Sequence, residues 1–302
     1  MTEPTGSGRL TAAQMLAAGP DGRDVTGRVR PSALPKIRDQ LARYLADPPY
    51  ENPPPAVADL AAAAVSALSV AQLYWVTADM TALAMSAGAA LSDLDVSMEE
   101  RPAPAGLMLF DGGASATDLG HGLSAPIDAV LWGSRPGGLL LVALVARWRL
   151  RAGAAALGGE VDGLPPLMIA AAIEHDAGQR ADSVPILAAT VAAWHLMQQP
   201  TLADTWRETA DKKTARALAR AGREDLGVTV VDLRRLYRPT DPDHRPESGR
   251  SYSHRWVVTG HWRKQAHGPD RALRKRIWIP DYIKGPDGAP LLARERVNVW
   301  RR

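Results

Sequence analysis

Apolar positions recur at helical spacing early in the chain. They alternate, or run continuously, through much of the remainder. Ile37, Leu41, Tyr44 and Leu45 are separated by 4, 3 and 1 residues, which puts them on one face of a helix over 31–46. Pro48 and Pro49 end it, and Pro53-Pro54-Pro55 make a stiff spacer. Residues 56–91 are Ala-rich and read as helix in two pieces. Thr77 is the candidate N-cap of the second piece, with Asp79 in its first turn, where the helix dipole favours an anion. Met80, Leu83, Ala84 and Ala87 then face the core.

Arg101-Pro102-Ala103-Pro104 breaks the helical region. Residues 107–110 form a short apolar strand ended by Asp111-Gly112-Gly113. Two further apolar runs, 127–132 and 139–148, flank the loop Gly133-Ser134-Arg135-Pro136-Gly137-Gly138, a hairpin signal. The second run is nearly continuous in Leu, Val and Ala, as expected of a central strand covered on both faces. Residues 165–174 and 184–199 read as helices, the latter ended by Pro200, and 205–221 as an exposed helix with scattered charges. Residues 228–233 are β-like. The pattern predicts an α+β protein, with helices packed on a mainly antiparallel sheet and a basic C-terminal β meander. The expected organisation is a loosely ordered arm (1–30), an α+β body (31–237), a Pro-rich polar linker (238–249) and a C-terminal β segment (250–302).

Alternation continues in that last segment. Trp256, Val258, Gly260 and Trp262 fall on one side of a strand, and Arg255, Val257, Thr259, His261 and Arg263 on the other. Arg276, Trp278 and Pro280 alternate with Ile277 and Ile279, and Val297 and Val299 with Arg296, Asn298 and Trp300. One face is expected to pack on the core and the other to present cations.

Charge changes the picture. Residues 250–302 hold 13 Lys/Arg against 4 Asp/Glu, a local +9, whereas the whole chain holds 36 against 33, or +3. Residues 1–249 are therefore mildly acidic, with 23 against 29. The same segment carries four of the nine Trp and three of the seven His. Arg outnumbers Lys thirty to six throughout, a codon bias of high-GC genomes, yet such a bias does not explain clustering at one end. A patterned cationic surface of this kind is a candidate contact for a polyanion. The candidate nucleic-acid-binding residues are Arg255, Thr259, His261, Arg263, Lys264, Arg274, Lys275, Arg276, Lys284, Arg296 and Trp300. The plain alternative is a solvated face, because exposed strands need charge for solubility and edge protection.

Other chemistry is poorly supplied. The chain has no Cys, which removes disulfides and Cys-based zinc sites. His254 and His261 are seven residues apart and point to opposite faces of an unbroken strand. On a helix, Glu174, His175 and Asp176 would diverge by about 100° each. Gly133-Ser134-Arg135-Pro136-Gly137 is not a G-x-S-x-G elbow, and neither a Walker A nor a G-x-G-x-x-G motif is present. No metal and no cofactor are expected. A metal-independent ribonuclease would need a base of near-neutral pKa and a cation for the phosphorane charge, for which His261 with Arg263, Arg276 and Lys284, and with Tyr282, are the candidates. No apolar run reaches the length of a membrane span, and the N-terminal residues hold no continuous apolar stretch of signal-peptide type, so a cytoplasmic location and no membrane partner are expected.

The segments HRWVVTGHWRKQ (254–265) and RKRIWIPDYIKGPDGAPLL (274–292), with the closing VNVWRR, resemble the C-terminal end of uncharacterised actinobacterial phage- and plasmid-type proteins. LYWVTADMTALA (73–84) and AAWHLMQQP (192–200) are similar to the same group, so the resemblance spans most of the chain from about residue 57. It implies a mobile-element or actinobacterial setting and carries no activity. The expected function is binding of nucleic acid or a nucleoprotein complex through the C-terminal basic face. The alternatives are a module that docks on a host or acidic protein partner, and the ribonuclease.

Overall fold

A computed structural model of the chain describes residues 30–49, 52–91, 100–120, 123–135, 138–156, 159, 161, 163–176, 184–223, 225, 227–234, 255–284 and 291–292. The expected linker at 238–249 and all but the last residue of the expected arm lie outside the described residues. The chain divides into two compact units, Met1–Leu233 and Arg234–Arg302.

In the first unit a 3-10 turn (Pro31–Ala33) leads into α1 (Leu34–Ala46), followed by α2 (Pro55–Val70), β1 (Gln72–Val76) and α3 (Ala78–Ala89). Then come β2 (Gly106–Gly120), β3 (Leu123–Arg135), β4 (Gly138–Ala146), α4 (Arg147–Ala156), β5 (Leu167–Asp176) and α5 (Pro185–Met197). The unit closes with β6 (Ala203–Thr209), α6 (Lys212–Arg220) and β7 (Gly227–Leu233). Seven strands form one mixed sheet in the order β5-β4-β3-β2-β1-β7-β6. β1 pairs parallel with both β2 and β7, and every other neighbouring pair is antiparallel. The chain is thus α+β, and the expected hairpin is present as β3–β4, with Leu131 opposite Val142. All nine positions of β4 are buried, as a strand covered on both faces requires.

Alternation sorts the sheet's side chains onto two faces. Leu73, Trp75, Leu107, Leu109, Leu131, Val142, Leu144, Val228 and Val230 pack with Leu34, Ile37 and Leu41 of α1 and Ala64, Ala67 and Leu68 of α2. The opposite face carries Tyr74, Met108, Val130 and Trp132 beneath α3 and α5. Trp132 is at its centre, with its ring 5.6 Å from Tyr74 and 5.1 Å from Trp194 of α5. The predicted core of α3 holds: Met80, Ala84 and Ala87 are buried and Leu83 is half-buried.

Several elements differ from expectation, each for a local reason. Gln72–Val76 is strand rather than helix; its Leu-Tyr-Trp-Val run fills the sheet's interior while Ala-rich helices flank it. The 165–174 segment is β5, because pairing with β4 overrides the helix preference of Ala170, Ala171 and Ala172. The 205–221 segment is β6 followed by α6. The divider is Asp211, whose carboxylate accepts from the Lys213 and Thr214 amides at 3.0 Å each, an N-cap. Trp148 lies on α4, since β4 ends at Ala146. Thr77 does stand at the start of α3, but its side chain makes no capping bond; its hydroxyl donates to Asp232 Oδ1 at 2.6 Å instead.

β2 does not end at Asp111-Gly112-Gly113. It passes through a bulge there and runs on to Gly120. Leu109 pairs with Ala129 and Ala114 with Ile127, so four residues of β2 are accommodated against one of β3. Gly112 and Gly113 take φ of 84° and 86°, values that favour glycine. Arg149 fastens the bulge: its Nη2 donates to Gly112 O at 3.0 Å, and its Nε donates to both Asp128 carboxylate oxygens at 2.9 Å. Asp128 also accepts the Ala146 amide at 2.7 Å.

The second unit contains β8 (Arg255–Val258), β9 (His261–His267), a 3-10 turn (Pro269–Arg271), β10 (Leu273–Ile279), β11 (Tyr282–Lys284) and β12 (Leu291–Leu292). β9 and β10 form a two-stranded antiparallel sheet, and β11-β8-β12 a three-stranded one. No helix among the described residues is long and apolar enough to cross a membrane.

Candidate nucleic-acid interface

The segments 255–267 and 273–284 make one hairpin, broken where β8 passes into β9 and β10 into β11. β9 pairs with β10 from His261–Ile279 to His267–Leu273, and β8 pairs with β11 from Val258–Tyr282 to Trp256–Lys284. The break is clasped by Asp281, whose Oδ1 accepts the Gly260 amide at 2.6 Å. Glycine is required at 260 by close approach, since a Cβ there would sit 2.5 Å from Cζ2 of Trp278. Trp262 and Trp278 face each other across the strands, edge to face at 5.2 Å and 64°. Trp278 is only 5% exposed and Trp262 half-buried, so both rings serve the base of the hairpin.

Register assigns the faces of β9–β10. Trp262, Lys264, Ala266, Arg274, Arg276 and Trp278 share one face. His261, Arg263, Gln265, His267, Leu273, Lys275, Ile277 and Ile279 share the other. The single cationic face expected from alternation is therefore not what forms: cations stand on both faces. Lys264 lies directly opposite Arg276, a like-charge pair of a kind that weakens a sheet by a few tenths of a kcal/mol, roughly 0.2–1. Lys264, Arg274 and Lys275 are exposed, and Arg263 and Arg276 half-buried. Residues 261–279 carry six Lys/Arg against one acid, Asp270.

Of the sequence candidates, Thr259, His261, Arg263, Lys264, Arg274, Lys275 and Arg276 come together in this hairpin and its root. Thr259 is exposed, and its carbonyl lies 3.2 Å from the exposed His261 Nδ1. The backbones of Arg255 and Lys284 lie in β8 and β11. Arg296 and Trp300 lie outside the described residues. For the ribonuclease set, His261 and Arg263 share a face, whereas Arg276 is on the other; Tyr282 is placed only as backbone in β11. The sequence reading missed the Asp281 clasp. Its only signal was an acid beside Pro280 at a strand end.

The first unit offers weaker chemistry. Asp232 is held by Thr77 at the carboxyl ends of the parallel strands, and burial pushes the Asp111 carboxyl up. No group of three or more His, Asp or Glu among the described residues could hold a metal ion. Glu174 and His175 are on a strand, not a helix, and point to opposite faces: Glu174 is exposed and His175 buried. An open groove of about 860 Å³ runs between α1, α2 and α6, with Ala42, Val65 and Leu218 among its apolar lining and Lys36, Arg43 and Lys213 among its charged lining. No known family model matches the chain, and no curated protein matches it.

Proposed function

We propose that the chain binds nucleic acid, as a protein of an actinobacterial mobile element or its host, through the β9–β10 hairpin. The observation that supports this reading is the density and disposition of charge on one small element: six cations, one acid, and a like-charge pair brought face to face. Lys264 is exposed and stands directly opposite Arg276, so an anion lying over the pair would relieve their repulsion. A phosphate backbone supplies that anion at regular spacing, and neutralising it releases condensed counterions. Same-face neighbours along a strand are about 7 Å apart, within reach of successive phosphates.

The test uses the full chain with Lys264, Arg274 and Lys275 changed together to Ala. All three side chains are exposed, so the fold should survive, which the circular dichroism spectrum checks. Binding of a labelled oligonucleotide should weaken for every sequence tried, and the slope of log K against log salt should fall by about three. Unchanged affinity in the folded variant would refute the proposal.

A further inference from the structure

We infer that the β9–β10 hairpin inserts as a two-sided ribbon into the major groove of duplex DNA. This rests on the nucleic-acid reading above and narrows it to one ligand. A surface that meets a polyanion from one side needs cations on one side only. Here Lys264 and Arg274 stand on one face, and Arg263 and Lys275 on the other. Both strands contribute to both sets. The outer half of the ribbon is largely exposed: Lys264, His267, Gly268, Asp270, Arg271, Leu273, Arg274 and Lys275 are open to solvent, and Gln265 and Ala266 are half-buried. An object charged on both broad faces is matched by a channel with phosphates on both walls.

Dimensions select the channel. The major groove of B-DNA is about 12 Å wide and admits a two-stranded ribbon, whereas the minor groove, at about 6 Å, does not. The deep, narrow major groove of an RNA duplex excludes side chains. Seven residues per strand span about 20 Å, the length of roughly six base pairs along the groove. A single strand is the natural competitor, but it is held by stacking bases on open aromatic rings. Trp278 is 5% exposed and Trp262 is turned edge-on against it, so these rings are occupied by each other. The tip is compact. Gly268 takes φ of 76°, and Asp270 and Arg271 also take positive φ, a tight reversal.

The experiment compares two single substitutions in the full chain, Lys264→Ala and Lys275→Ala, on a short mixed-sequence DNA duplex and on its separated strand. The side chains are alike in type and exposure and differ in the face they occupy. Groove insertion predicts that each lowers the duplex salt slope by about one. It also predicts that the duplex is preferred over the strand, and that methyl green, a major-groove ligand, competes while distamycin, a minor-groove ligand, does not. If only one of the two lysines matters, or the single strand binds as well as the duplex, the ribbon lies on a surface and the inference falls while nucleic-acid binding stands. If neither DNA form binds, and an RNA duplex and strand of the same sequence run beside them do not bind either, both fall; if RNA alone binds, only the groove inference falls.

Discussion

Changing Arg149 to Met should lower the stability of the first unit by about 3–5 kcal/mol, the usual result of leaving a buried charge without its partner. Arg149 is 8% exposed and Asp128 7%. The Arg149–Asp128 pair joins three strands: the guanidinium bonds Asp128 on β3 and the Gly112 carbonyl in the β2 bulge, and Asp128 holds the amide of Ala146 at the end of β4. Met fills the volume but leaves Asp128 with one amide donor. The pH dependence gives the signature. Burial raises the Asp128 carboxyl above its ordinary value, and Arg149 opposes that rise. Between the ordinary and the raised value the folded chain keeps a proton that the unfolded chain has lost, so this group's contribution to stability falls as pH rises through that window. Without Arg149 the folded value climbs further and the window widens upward. The deficit of the Met variant should therefore be largest at neutral pH and shrink on acidification. Adding Asp128→Asn should restore part of it. Urea unfolding across a pH series checks both; a deficit that does not vary with pH would show that the lost charge partner is not its cause.

Trp132→Ala should lower stability by about 3–5 kcal/mol. Trp132 is fully buried at the sheet's centre, and its Nε1–H donates to Ala103 O at 3.0 Å. Its loss opens a cavity, leaves that carbonyl without its donor and removes the ring that joins Tyr74 to Trp194. The Tyr74 hydroxyl, pushed up to about 12 by burial and donating to Gln72 Oε1 at 2.8 Å, should then ionise at lower pH as water enters. Ultraviolet difference titration follows the phenol, and urea unfolding the stability. A loss below about 1 kcal/mol would mean that α5 closes over the gap and that the aromatic stack is not central.

The hydrophobic pattern revealed elements wherever one period dominated. The 3.6 period of α1 and the unbroken Leu/Val/Ala run of β4 both led to the right element, because burial on one or two faces writes itself directly into sequence. Patterning failed where Ala filled a strand. Ala170, Ala171 and Ala172 favour helix in isolation, and only the neighbouring β4 decides otherwise. β1 was hidden for a different reason: five residues between two Ala-rich helices are too few to show a period. The β2 bulge looked like a strand end because Asp-Gly-Gly is turn chemistry, and Arg149, which bridges the bulge to β3, is distant in sequence.

The candidate interface was legible in its charge and not in its geometry. Alternation predicted one apolar and one cationic face. It could not show that Gly260 and Asp281 break the hairpin and close the tryptophans on each other, leaving cations on both sides of the outer ribbon. Register across two strands, unlike alternation along one, is set by pairs of residues far apart in sequence.

The most direct test of the account is the equilibrium affinity of the full chain for a mixed-sequence DNA duplex, measured by fluorescence anisotropy over a range of salt. Five or six ribbon cations neutralising as many phosphates predict a straight line of log K against log salt with a slope of about −5. A flat line, or no binding at low salt, would contradict it.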